Sequence, residues 1–212
     1  MVEFFKNLFK PTTVKQNVPV VKVKSVVDNS PPQLKSLFVS AGHSEVDAGA
    51  SREYDGRLFT EADIVLEFRD MVCERLEKSG VIFERDGGVG ENLPLIDAIK
   101  LAKAHDVSVE FHCNAFTDGR ASGVETLSGD QHKALGERLC EAISFVLGAK
   151  NRGAKGEASG QHSRLGFISK GNGIIVELFF ITSPKDFKSY QKSKERLADA
   201  VANVLIQEVR DA

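Results

Sequence analysis

Leu37-Phe38-Val39-Ser40-Ala41-Gly42-His43-Ser44-Glu45-Val46-Asp47-Ala48-Gly49-Ala50 opens on a short apolar run that stops at small residues. Such a run reads as a buried strand ending in a loop, and in open α/β sheets ligands sit at the carboxyl ends of strands. His43 therefore stands at the mouth of a prospective site. Taken alone, a histidine after a strand is more often a hydrogen-bonded loop residue than a metal ligand. Its role depends on what the rest of the chain brings to it.

Downstream, Thr60 offers an N-cap with Asp63 at the third helical position, and Ile64, Phe68, Met71, Cys73 and Leu76 recur at helical spacing as far as Gly80. Residues 81–85 predict the next strand; the Gly87-Gly88 loop then leads to a helix from near Asn92, with Pro94 in its first turn and Leu95, Ile99 and Ala102 to one side. Residues 107–112 and 124–127 read as strands. Ser128-Gly129-Asp130-Gln131 opens a helix whose Leu135, Leu139, Ile143 and Val146 face inward before Gly148. Residues 149–163 contain Gly153, Gly156 and Gly160 without periodicity and predict a long loop, a kind that is usually functional. Residues 164–169 and 174–179 are the last predicted strands. Ser183-Pro184, with Asp186 beyond, starts a closing helix carrying Phe187, Leu197, Val201 and Leu205. The alternation gives the fold class: α/β, a single domain with a mostly parallel central sheet and helices on both faces, plus an N-terminal tail.

With 212 residues, 42% hydrophobic and 27% charged, there is material for one well-buried domain rather than two. Residues 1–35 differ in character from the rest of the chain: a short amphipathic segment, then Pro11 and a Val/Lys-rich stretch running to Pro31-Pro32. We divide the chain into a 1–35 tail and a 36–212 domain. Phe5, Leu8 and Phe9 can share one helical face, with Lys6 and Lys10 beside it; that face either docks peripherally on a membrane, or packs on the domain or stays partly disordered. A net charge of −2 gives no dense basic face and argues against nucleic acid. Cys73, Cys113 and Cys140 are odd in number and lack CxxC spacing, as reduced, buried thiols do. There is no run of eighteen apolar residues, and Glu3 and Lys6 interrupt the first ten positions. The expectation is neither a spanning helix nor a secretory signal, hence synthesis in the cytoplasm.

Three potential ligands fall in comparable places: His43 after the first strand, Glu61 in the first turn of the next helix, and His112 at the end of a central strand. Two imidazoles and a carboxylate, with water in the fourth position, make up a hydrolytic zinc (Zn2+) site. Glu177 interrupts the apolar strand Ile174-Ile175-Val176-Glu177-Leu178-Phe179-Phe180, where a carboxylate is costly unless it meets a cation, a donor or solvent. A salt bridge at the sheet's edge is the plain alternative. Beside the other three, Glu177 reads as the general base that deprotonates the attacking water and returns the proton to a leaving amine.

With these residues in place, the sequence resembles the zinc-dependent N-acetylmuramoyl-L-alanine amidases of the amidase-3 type, found in bacterial wall remodelling and in phage endolysins. The resemblance runs from about Leu37 to Ile206. It is carried by the Ala41-Gly42-His43 loop with Asp47 and Gly49, Glu61 and its helix, and Glu84-Arg85-Asp86. His112-Cys113-Asn114-Ala115, Gly123-Val124-Glu125, Arg152-Gly153-Ala154-Lys155 and Val176-Glu177-Leu178-Phe179-Phe180 come next, in the family's order. It implies that His43, Glu61 and His112 hold zinc, that Glu177 is catalytic, and that peptidoglycan is cut between the lactyl group of N-acetylmuramic acid and L-alanine. Three positions depart from the family pattern. Glu110 stands where serine is common, Cys113 comes after the second histidine in place of a smaller residue, and Ser44 replaces a glycine. None removes a ligand. Strand alternation is expected to turn Glu110 away from the site and Cys113 to the face opposite His112.

Asn114, Arg152 and Lys155 are the candidate substrate contacts. Asn114 either hydrogen-bonds the stem peptide or caps a turn. Lys150, Arg152, Lys155 and Arg164, against Glu157, form either a basic rim for stem carboxylates or a solvated loop. His105, His132 and His162 receive no role. The missing export signal favours an endolysin that reaches the wall after the membrane is breached, and the unpatterned 149–163 segment predicts an open, unblocked site. Two other classes stay open: a zinc peptidase cutting within the stem, and a non-catalytic wall-binding or virion module of the same fold.

Overall fold

The computed structural model describes residues 34–44, 46–159 and 164–211. The amphipathic face at Phe5, Leu8 and Phe9 and the loop residue His162 lie outside the described residues. In chain order the elements are β1 (Leu37–Ala41), β2 (Ser51–Tyr54), β3 (Arg57–Thr60), α1 (Glu61–Ser79), β4 (Phe83–Arg85), α2 (Leu95–Ala104) and β5 (Val107–Asn114). Then come β6 (Val124–Ser128), α3 (Lys133–Leu147), β7 (Asn151–Gly156), α4 (Gly166–Ser169), β8 (Ile174–Phe180) and α5 (Pro184–Arg210).

Six strands form one sheet in the order β4-β1-β5-β8-β6-β7. Neighbours run parallel except β6, which is antiparallel to β8. Successive side chains point to opposite faces of a strand. Leu37, Val39 and Ala41 accordingly join the larger core with α1, α3 and α5, while Phe38 packs with Ala98 and Ala102 of α2 and Phe167 and Ile168 of α4. Helices thus cover both faces, as the continuous apolar character of β1 requires. The Thr60 hydroxyl accepts from the Asp63 amide at 3.1 Å, and Gly80, with φ 73°, closes α1 in the left-handed conformation that favours glycine.

Four local readings are corrected. Residues 149–163 are not a loop throughout: residues 151–156 form β7, an edge strand pairing only with β6, with a single tight turn after it at 157–159. Its half-buried residues need no apolar alternation, so the usual signal is missing. Residues 164–169 give no strand; Gly166–Ser169 forms the short helix α4, since a short apolar run fits either conformation. The hairpin β2–β3 is an addition to the predicted elements, although its Asp55-Gly56 turn, with both φ positive, is a strong hairpin signal. Leu95 is exposed, and Ala98 takes the inward place on α2. Cys73, Cys113 and Cys140 are free and buried, as expected. No helix among the described residues is long and apolar enough to cross a membrane.

Candidate metal centre

His112 and Glu177 are register partners near the carboxyl ends of parallel β5 and β8, and by strand alternation they share the face of Ile175, which packs with α2 and α4. His43 comes just after β1 with φ 65°, a left-handed backbone that costs a residue with a Cβ roughly 1 kcal/mol. Reciprocal Ser44–Asp47 backbone bonds of 2.9 and 3.0 Å hold the turn, and the Asn92 side-chain amide donates to the carbonyls of Ala41 and His43. Glu61 is the first residue of α1. Its Oε1 accepts from the Cys113 amide at 2.9 Å and its Oε2 from the Ala50 amide at 3.0 Å, which fixes the carboxylate between the two histidines.

His43 Nε2 lies 3.2 Å and His112 Nδ1 3.0 Å from Glu61 Oε1. One donor atom from each of the three residues falls within 4.8 Å of the others. This donor set fits zinc, which in catalytic sites takes three N/O protein ligands and keeps a position open. The outward nitrogens are also engaged: His43 Nδ1 with Asp47 Oδ2 at 3.2 Å, and His112 Nε2 with Glu110 Oε1 at 3.0 Å. Metal-binding imidazoles characteristically have such partners. Burial opposes ionisation of Glu61, but hydrogen bonds from His112 and His43 and their charges overcome it and hold the carboxyl well below the ordinary range. The Glu61 hydrogen bond raises His43 against the cost of burial; burial also opposes the charging of His112, and bonds to Glu110 and Glu61 hold it well above its usual value.

Glu177 is the register partner of His112 on one side and of Glu125 on the other. Its Oε2 is shut off from solvent with no hydrogen-bond partner. Burial pushes the carboxyl up to about 7, with the His112 charge pulling down and the Glu61 and Glu125 charges pushing up. A buried orphan oxygen calls for a donor from outside the chain, such as water or a ligand.

Asn114, Arg152 and Lys155 line the same cleft of about 600 Å³ as His43, Glu61, His112 and Glu177. All three converge on Glu125: Asn114 Nδ2 donates to Oε1 at 3.1 Å, Lys155 Nζ to Oε2 at 2.7 Å, and Arg152 Nε to Oε2 as well. The Arg152 guanidinium also sits 5.0 Å over the Phe180 ring. The basic rim is therefore narrower than the sequence suggested, with Lys150 and Arg164 outside the cleft. Glu125 stands in the Gly123-Val124-Glu125 match but received no role from the sequence; its strand, Val124-Glu125-Thr126-Leu127-Ser128, is only partly apolar, so no interrupted apolar run marks it.

The reading of Glu110 is corrected. Residues 110 and 112 are two apart in one strand and so share a face, and the Glu110 carboxylate is buried against His112. Cys113 does take the opposite face, in the main core, where burial pushes its thiol up. His105 stacks on Phe38, and His132 Nε2 lies 2.8 Å from the Asn172 carbonyl, both away from the cleft.

Backbone space is also committed. A Cβ on Gly42 would lie 2.2 Å from the His112 ring, and one on Gly49, whose φ is 64°, would lie 2.7 Å from both Glu61 and His43. Gly42→Ala is expected to push His112 off its position and, where the His43–Glu61–His112 cluster takes zinc, to weaken that binding by about tenfold (about 1.4 kcal/mol) in a folded protein. Calorimetric titration with zinc checks this, and unchanged affinity would show that the ring can yield.

Residues 37–207 match the family described as N-acetylmuramoyl-L-alanine amidase. Among solved structures, a proposed N-acetylmuramoyl-L-alanine amidase from Neisseria meningitidis is 34% identical, with TM-score 0.73, over 82% of this chain and 95% of that one. The catalytic domain of the amidase CwlV from Bacillus (Paenibacillus) polymyxa is 20% identical, with TM-score 0.70, over 84% of this chain and 99% of that one. The catalytic domain of the CD27L endolysin, which targets Clostridia difficile, is 20% identical, with TM-score 0.63, over 82% and 98%. At that identity the last two speak for the fold alone. A comparison with curated proteins finds no match. With its family match over most of the chain and a 34% identical relative covered almost in full, this chain belongs to the N-acetylmuramoyl-L-alanine amidases, enzymes of peptidoglycan.

Proposed function

We propose that residues 36–212 form a zinc-dependent catalytic domain that cuts the amide between N-acetylmuramic acid and the L-alanine of the stem peptide. The observation carrying this reading is the buried, unpartnered Glu177 Oε2 one strand from His112, beside the His43–Glu61–His112 cluster. His43, Glu61 and His112 would hold the zinc. When bound, zinc supplies Lewis-acid chemistry: it acidifies a water to a pKa of about 7 and polarises the scissile carbonyl.

The chain's own residues then have separable tasks. Glu177, buried one strand from His112, takes a proton from the attacking water and delivers it to the leaving nitrogen of L-alanine. Asn114, Arg152 and Lys155 bind the stem peptide. Two cations sharing the one Glu125 carboxylate leave a surplus positive charge suited to a free stem carboxylate. Phe116, half exposed at the cleft, offers an apolar wall to the peptide.

Digestion of purified peptidoglycan with mass spectrometry of the soluble products tests the reading. Free stem peptides beginning with L-alanine are expected. Shortened peptides still joined to muramic acid would replace the amidase with a peptidase, and no products from zinc-loaded protein would leave a wall-binding module. We extend the proposal to deployment as a phage endolysin acting on the wall after membrane breach, which rests on the sequence reading alone. Cytoplasmic expression should then lyse cells only when the inner membrane is permeabilised.

A further inference from the structure

Glu110 lies where the fold could have placed an apolar residue, and its side chain is only 4% exposed. Burying a carboxylate is costly unless it is paired and hydrogen-bonded. Both of its oxygens are used: Oε1 faces His112 Nε2 at 3.0 Å, and Oε2 accepts from the Ser40 hydroxyl at 3.0 Å. Ser40 is its register partner on β1, so the contact is built into the sheet. Ser40 Oγ also lies 3.0 Å from Asp86 Oδ2, and Asp86 Oδ1 accepts from Arg69 Nη1 at 2.7 Å. A continuous buried chain thus runs from Arg69 through Asp86, Ser40 and Glu110 to the imidazole of His112.

The orientation of the ring gives this chain a purpose. Nδ1 lies on the cluster side, 3.0 Å from Glu61, while Nε2 points back to Glu110. An imidazole that donates Nε2–H to a carboxylate carries its lone pair on Nδ1, where a metal would take it.

We propose that Glu110 is a positioning residue for the metal centre, fixing the tautomer and rotation of His112 and raising its strength as a ligand. The inference rests on the zinc reading above. It assigns a role to Glu110, which the sequence reading turned away from the site. It also explains why a charged side chain is held in the sheet's interior. Asp47 meets His43 in the corresponding way, but from an exposed loop, so the rigid half of the arrangement is the Glu110 half.

The test uses the full chain stripped of metal, with zinc dissociation constants measured by competition with a chromogenic chelator. Glu110→Ala should weaken zinc binding about 10- to 100-fold. Glu110→Gln, whose amide oxygen can still accept from Nε2–H, should recover part of that loss. In the zinc-loaded protein, the downfield imidazole N–H proton of His112 should be present in wild type and Glu110→Gln and absent in Glu110→Ala, a signature that lost packing alone would not erase selectively. Glu110→Thr, which suits a strand but is too short to reach Nε2, carries the same expectation if the alanine variant does not fold. Wild-type affinity in the alanine or threonine variant overturns the role of Glu110 and leaves the metal site standing. Failure of wild type itself to bind zinc overturns both.

Discussion

Glu177→Gln is expected to lower kcat on peptidoglycan by roughly 10²–10⁴-fold, with the fold and bound zinc retained. The amide preserves the shape of the side chain and removes its ability to take a proton. The substrate contacts proposed for Asn114, Arg152 and Lys155 are untouched, so KM should change little. Metal analysis of the variant is essential, because loss of zinc would produce the same inactivity for another reason. Retained turnover in the zinc-loaded variant would sink the general-base assignment.

The same substitution has a second consequence, in the metal-free protein. The Glu177 carboxyl is held at about 7, above the ordinary glutamate value of 4.5, because burial disfavours its charge. A folded pKa raised above the unfolded one favours folding below the unfolded value, and that advantage disappears as pH rises through the folded value. Metal-free wild type should therefore lose up to about 3 kcal/mol between pH 4.5 and 8 through this group. Glu177→Gln should be free of that loss. Urea titrations of both proteins at the two pH values measure it, and parallel pH dependence would show that Glu177 is solvated after all.

The second large effect concerns stability. Arg69 and Asp86 are both fully buried, and Arg69 also donates to the carbonyls of Asp86 and Gly88 and to Asp70. Removing one partner of such a pair strands the other charge, so Arg69→Met is expected to cost about 3–5 kcal/mol. Asp86 is already pushed up to about 6 by burial, against the pull of Arg69. Its ionisation therefore costs stability as pH rises through the folded value, and without Arg69 the penalty should be larger above pH 6 than at pH 4. Arg69→Met combined with Asp86→Asn removes the stranded charge and keeps an acceptor for the Ala41 amide. It should be more stable than the single variant at pH 8. A single variant within about 1 kcal/mol of wild type would mean that water reaches the Asp86 carboxylate.

How locally a feature is encoded decides whether it can be read from the chain. The Thr60 cap, the apolar spacing of α1 and the apolar run of β8 on either side of Glu177 each lie in one stretch, and the structure has them where the sequence put them. His43, Glu61, His112 and Glu177 stand out because each breaks or ends such a pattern, and the fold brings all four to one cleft. Glu110 is misplaced only by an error of strand parity, since residues two apart share a face. Glu125 escapes a sequence reading because its importance lies in partners from other segments, Arg152 and Lys155 on β7 and Asn114 on β5. β7 itself, pairing along one edge with glycine and basic residues, offers no apolar period to detect.

The hairpin between His43 and Glu61 is tied shut at its base, where the Glu61 amide donates to the Ala50 carbonyl at 2.7 Å and Ala50 donates back to the Glu61 carboxylate. Tyr54 and Phe59 fasten its middle to Phe187 of α5, with ring centroids 4.2 and 4.7 Å away. The Asp55-Gly56 tip is exposed and has no side chain in the cleft. Added chain there changes the length of sequence between His43 and Glu61 without changing the distance between them. The tip is thus a natural port for a reporter or a wall-targeting module, one that would ride on the enzyme while its chemistry stays fixed below.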